Sequence, residues 1–126
     1  MTNPQLRQYN VAARSTDVFG RVMCSVRDHH FVIDGPVQNG CPGEEVTPPE
    51  AFLSAVAACG VELVHVIARE QNKAVGNVAV SIYGELDRSK QKRTDVTVLN
   101  EMRMSFTLGG TDGATATQLV EGFKRR

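Results

Sequence analysis

Between Tyr9 and Asp34 the apolar residues fall at nearly every second position. Tyr9, Val11 and Ala13 alternate with polar neighbours, and after a turn at Asp17–Gly20, Val22, Cys24 and Val26 alternate with Arg21, Ser25 and Arg27. Phe31 and Ile33 follow a break at Arg27–His29. A period of two marks a half-buried strand, so three strands are expected, with Cys24 facing inward and Arg21 and Arg27 facing outward. The same period returns over Val75–Leu86, where Val78, Val80 and Ile82 oppose Ala79, Ser81 and Tyr83. It appears again over Val96–Leu108, where Val96, Val98, Met102, Met104, Phe106 and Leu108 share a face. These two stretches predict a pair of long strands with one face on a helix and one in water.

Between the two strand groups the pattern changes to steps of three and four. Phe52, Val56, Cys59, Leu63, Val66 and Ile67 share one helical face, and Leu53, Ala57, Val61 and Val64 cover much of the rest. Thr47, Pro48 and Glu50 read as a capping box, with Thr47 oxygen accepting from the Glu50 N–H and the Glu50 carboxylate reaching back to Thr47. Asn72 suits a left-handed stop, and Arg69 suits the negative end of the helix dipole. The rod is about 36 Å long and apolar on nearly every side, interrupted by Ser54, Glu62 and His65. The apolar run is near membrane-spanning length, but Glu62 and His65 within it point to a central helix in a soluble core. Ala116, Leu119, Val120 and Phe123 predict a second helix over Thr115–Arg126.

Composition narrows the classes of function. Fourteen basic and fourteen acidic residues cancel, so no overall field favours nucleic acid or a membrane surface. The basic run Arg88, Lys90, Lys92 and Arg93 carries no interleaved aromatic residue and reads as a solvated loop. The N-terminus has no apolar targeting core, which predicts a cytoplasmic protein. At 126 residues a single domain over 1–126 is expected. The cysteines, at 24, 41 and 59, fit neither a disulfide framework nor a zinc site, so no metal or cofactor is expected. Cys24 reads as a core residue. Cys41 lies in a Gly/Pro loop over 35–46, where it should be exposed, beside Glu44 and Glu45 of the wrong sign to favour a thiolate.

The segments His30–Pro36 (HFVIDGP) and Thr47–Gly60 (TPPEAFLSAVAACG), followed by the hairpin and the second helix, resemble the OsmC/Ohr family of osmotically inducible and organic hydroperoxide resistance proteins. The resemblance implies an α+β fold, with antiparallel sheets wrapped around central helices in an intertwined homodimer. It also implies a thiol-dependent peroxidase, in which Cys59 attacks an organic hydroperoxide and an external thiol or dithiol restores it. The characterised peroxidases pair an arginine from the N-terminal strands with a glutamate at the helix start. Arg21, with Arg27 as the other candidate, and Glu50 correspond to these. Glu50 lies nine helical residues from Cys59, about 13.5 Å along the axis, and its capping role requires no catalysis. Glu62, one turn after Cys59, would raise the thiol pKa if both faced one pocket. The family's second cysteine belongs at or just past Arg126, so the resemblance implies a domain short of its C-terminal end. Two functions follow: a peroxidase with neither nucleic-acid nor membrane partner, or a non-catalytic dimer that binds small apolar ligands or senses oxidants through one cysteine.

Overall fold

The computed structural model describes residues 5–126, in which the chain forms two compact units, the boundary along the chain falling within the first turn of a long helix. The first unit, up to Ala51, holds β1 (Ala12–Ser15), β2 (Arg21–Val26) and β3 (His29–Asp34), an antiparallel sheet in the order β1-β2-β3. The break between β2 and β3 is shorter than the pattern suggested. Val26 pairs with His29, so only Arg27 and Asp28 make the turn, and Arg27 takes φ 51°. Tight hairpins favour such a left-handed corner because it matches the strand twist. Arg27 therefore sits at the hairpin tip, exposed, and not on the strand. β1 begins later than expected, with Tyr9 and Val11 outside it and exposed.

The second unit, from Phe52, contains most of α1 (Pro48–Glu70), β4 (Val78–Glu85), β5 (Glu101–Leu108) and α2 (Gly113–Lys124). β4 and β5 pair antiparallel, from Val78 opposite Leu108 to Glu85 opposite Glu101. Their inward residues join α1 and α2 in the core: Val64, Ile67, Ala68 and Leu119 are buried, with Leu63, Val75, Val78, Phe106 and Leu108 packed on them. Phe106 and Phe123 meet at 5.4 Å between ring centroids, tilted by 56°, a favoured aromatic geometry.

Two features differ from the sequence expectation. Residues 96–100 are not strand, because the Gln91 side chain takes both backbone groups of Val98 that a neighbouring strand would use. And α1 is not coated on all sides: only Gly60, Val64, Ile67 and Ala68 are buried. One two-stranded sheet and one short helix cover one face of a 23-residue helix, and the apolar residues of the other faces stay accessible. By length and composition α1 would also suit a membrane span.

Candidate functional site

Cys59 stands halfway along α1, and local chemistry fixes both ends of that helix. At the start, Glu50 Oε1 accepts from the Thr47 N–H (2.9 Å) and from its hydroxyl (2.8 Å). The Thr47 hydroxyl thus donates to Glu50, and does not accept from the Glu50 N–H as a full capping box would have it. At the end, Asn72 takes φ 54°, Lys73 N–H donates to Ala68 C=O (2.8 Å) and Asn72 N–H donates to Arg69 C=O (3.3 Å). This is a Schellman cap with asparagine in the left-handed position.

The turn that carries Cys59 is seated by its neighbour Gly60. A Cβ at Gly60 would stand 3.2 Å from the Phe106 ring and 3.3 Å from the Met104 methyl, so a larger residue would press both side chains aside, and glycine lets the helix lie close to β5. Gly60 faces the core and is buried, whereas Cys59 is exposed. A cleft of about 540 Å³ runs along the same helix, lined by Glu62, His65, Val66, Arg69, Lys73 and Val75. A second, of about 400 Å³, is lined by Met104, Phe106, Leu108, Val120 and Phe123. Cys59 lines neither of these clefts, whereas Glu62 lines the first.

Arg21 belongs to the first unit and is held there by two carboxylates. Its Nε donates to Asp34 Oδ1 (2.8 Å), and its Nη2 donates to Asp34 Oδ2 (2.9 Å) and Glu44 Oε1 (3.1 Å). Asp34 is fully buried and also accepts from the backbone N–H groups of Glu44 (3.0 Å) and Glu45 (2.9 Å). The Arg21 guanidinium, helped by those two N–H groups, holds the Asp34 carboxyl well below the ordinary carboxylate range, against the opposing pull of burial. Hydrogen bonds to Asp34 and then Glu44 raise Arg21 further above its already high value. Glu50 is lowered by the Thr47 backbone N–H and then the Thr47 hydroxyl.

Arg21 therefore pairs with Asp34 and Glu44, while the Glu50 carboxylate is taken up by Thr47. Cys24 is buried, as its place in the strand pattern requires. Cys41 is half-buried rather than exposed: a Cβ on Gly35 would stand 2.5 Å from its Sγ, so the thiol occupies space that glycine leaves open. Among the described residues no cluster of His, Cys, Asp or Glu is arranged to hold a metal ion.

The sequence pattern of the OsmC-like protein family matches residues 41–126, more than half of the chain. The chain belongs to that family. No curated protein matches its sequence. Among solved structures, this OsmC-like chain is similar to an OsmC-like protein from Mycoplasma pneumoniae, with a TM-score of 0.79 and 15% identity over 95% of this chain and 82% of that one. It is also similar to an organic hydroperoxide resistance protein from Elizabethkingia anophelis (TM-score 0.76, 14% identity, 98% and 85% covered). A third is the organic hydroperoxide resistance protein OsmC of Legionella pneumophila (TM-score 0.75, 17% identity, 95% and 84% covered). At these identities the likeness establishes the α+β OsmC-like fold, with its antiparallel sheets and helices.

Proposed function

We propose that this OsmC-like chain is a thiol-dependent peroxidase that reduces organic hydroperoxides through Cys59, acting as a cytoplasmic homodimer. The observation that carries the proposal is an exposed cysteine on the bare side of an apolar helix, in a family whose solved relatives include proteins named for organic hydroperoxide resistance. The Cys59 thiolate attacks the distal oxygen of ROOH. The S–O bond forms as the O–O bond breaks, the alkoxide leaves and takes a proton to become ROH, and the sulfur becomes a sulfenic acid. Two equivalents of an external thiol, or one dithiol, return it to the thiol with release of water and a disulfide. Arg21 and Glu50 are the residues of this chain proposed to assist.

With a dithiol reductant, the wild type should consume cumene hydroperoxide faster than hydrogen peroxide, and Cys59→Ser should reduce the rate to background. Equal turnover by the two proteins sinks the enzyme reading. The homodimer rests on the uncovered sides of α1, where Phe52 is 55% exposed, because an apolar helix in water demands a cover. Sedimentation equilibrium at micromolar concentration should give twice the chain mass, and a monomer there removes this part of the proposal.

One observation favours the alternative, a non-catalytic binder or one-cysteine sensor: the charge of Arg21 is already met by two carboxylates. A pH titration of Cys59 reactivity separates the two readings. A depressed thiol pKa supports the peroxidase, and an ordinary or raised one supports the alternative.

A further inference from the structure

Between β4 and β5 the chain makes a fixed excursion over residues 86–100 in place of a tight turn. Three side chains stitch it. Gln91 Nε2 donates to the carbonyls of Asp87 (2.9 Å) and Val98 (3.0 Å), and Gln91 Oε1 accepts from the Val98 N–H (2.7 Å). Asn100 accepts from the Asp87 N–H (2.7 Å) and donates to the Lys90 carbonyl (2.9 Å). Asp87 caps the short 3₁₀ turn Arg88–Lys90 through the Ser89 N–H.

The loop built this way presents four cations, Arg88, Lys90, Lys92 and Arg93, of which, among the described residues, only Arg93 pairs with a carboxylate, Asp95. Asp87 and Asp95 are the acidic residues of the segment, so cations outnumber anions in a protein of zero net charge. Within or beside the same segment, aliphatic side chains stand in water: Leu86 (46% exposed), Val96 (45%), Val98 (53%) and Met102 (45%). Met102 lies in the same row of β5 as Met104, Phe106 and Leu108, and Leu86 directly follows β4; both lie toward the hairpin tip, beyond the residues that form the core.

We propose that this loop docks on the surface of an anionic lipid bilayer, with its cations among the headgroups and its aliphatic side chains at the acyl boundary. As a charge run alone, the segment reads as a solvated turn. The structure adds a shape already fixed before contact and uncovered aliphatic groups beside unpaired cations, a combination that suits an interface with both charge and hydrocarbon. Single-stranded nucleic acid is disfavoured because it is gripped by stacking on aromatic side chains, and residues 86–100 contain none. A second copy meeting this loop across a twofold axis would bring like charges together.

The test is co-sedimentation of the full chain with vesicles of phosphatidylcholine and phosphatidylglycerol, against vesicles of phosphatidylcholine alone, at low and high salt. Binding to the mixed vesicles should exceed binding to the neutral ones by roughly tenfold or more, and high salt should abolish the excess. Neutralising Arg88, Lys90 and Lys92 together with glutamine should weaken binding by roughly tenfold or more, because each cation near an anionic surface contributes up to roughly fivefold. Val96→Ser with Val98→Ser should weaken it several-fold while leaving the salt dependence intact, with equal thermal melts confirming the fold. No vesicle binding, or equal binding to neutral vesicles, overturns the proposal. So does retention of a single-stranded oligonucleotide or an acidic peptide without vesicle binding. These residues lie outside the thiol machinery, so hydroperoxide consumption in vesicle-free buffer should be unchanged by the variants. Failure here leaves the reading of Cys59 where it stood.

Discussion

In the second unit the buried residues of the core cluster are Leu119, Val64, Ile67 and Ala68. Among the described residues of the first unit, the fully buried side chain is a carboxylate, Asp34, and the buried apolar one is Cys24. One unit is held by apolar area, which is non-directional and insensitive to pH. The other is centred on an ion that tolerates burial only because it is met from several directions, by Arg21 and by two backbone N–H groups. The difference matters for the site. The unit that carries Cys59 is seated by packing, through Gly60 on Phe106. The unit that carries Arg21 fixes that cation, and the loop leading to α1, by charge and hydrogen bonds.

The largest effect should come from the apolar side. Leu119 of α2 is fully buried in a cluster with Val64, Ile67 and Ala68 of α1. Leu119→Ala removes buried methyl groups and leaves a cavity, which costs about 2–5 kcal/mol and lowers the thermal midpoint by roughly 10–20 °C. The loss should be nearly the same at pH 4 and pH 7, because no ionisable group joins that cluster. A loss that grows steeply in acid would break the contrast between the units, and melts at the two pH values decide it.

How much of this was legible in the sequence varied with the kind of interaction. The period of two along Val78–Glu85 and Glu101–Leu108, and the three-and-four spacing along α1, report directly which side chains face a core, and those elements were found. Capping chemistry was legible at both ends of α1, except for the direction of the Thr47 hydroxyl, which depends on side-chain rotation. The strand expected from Val96 failed because a single glutamine outcompetes strand pairing, and nothing in the alternation reveals that. The Arg21–Asp34 pair was missed by one residue of register. A break at Arg27–His29 does not place Arg21 opposite Asp34, whereas the observed turn at Arg27–Asp28 does, and opposite charges directly across a hairpin then become the signal. The covered side of α1 was overestimated because a helical wheel counts apolar faces but not the elements available to bury them. Cys59 was singled out through family resemblance, since an apolar neighbourhood alone describes an inert core cysteine equally well.

A smaller but more diagnostic effect should come from the charged side. Asp34→Asn keeps the size of the side chain but leaves Arg21 with Glu44 alone. It also places an amide where one oxygen now accepts from Arg21, Glu44 N–H and Glu45 N–H together. The thermal midpoint should fall by on the order of 10 °C at pH 7. Its pH dependence is what separates it from Leu119→Ala. The Asp34 carboxyl is depressed in the folded protein, chiefly by Arg21, so the unfolded chain takes up a proton first as the pH falls. The stabilisation is fully present above the unfolded carboxylate pKa of about 4. It drains away below that point as the pH falls toward the depressed folded value. Wild-type stability should therefore drop as the pH falls from about 4 toward 2, and Asp34→Asn should drop less over the same interval, so that the two melting curves converge in acid. Parallel curves would mean that Asp34 acts by shape alone, and the first unit would then be organised by packing, as the second is.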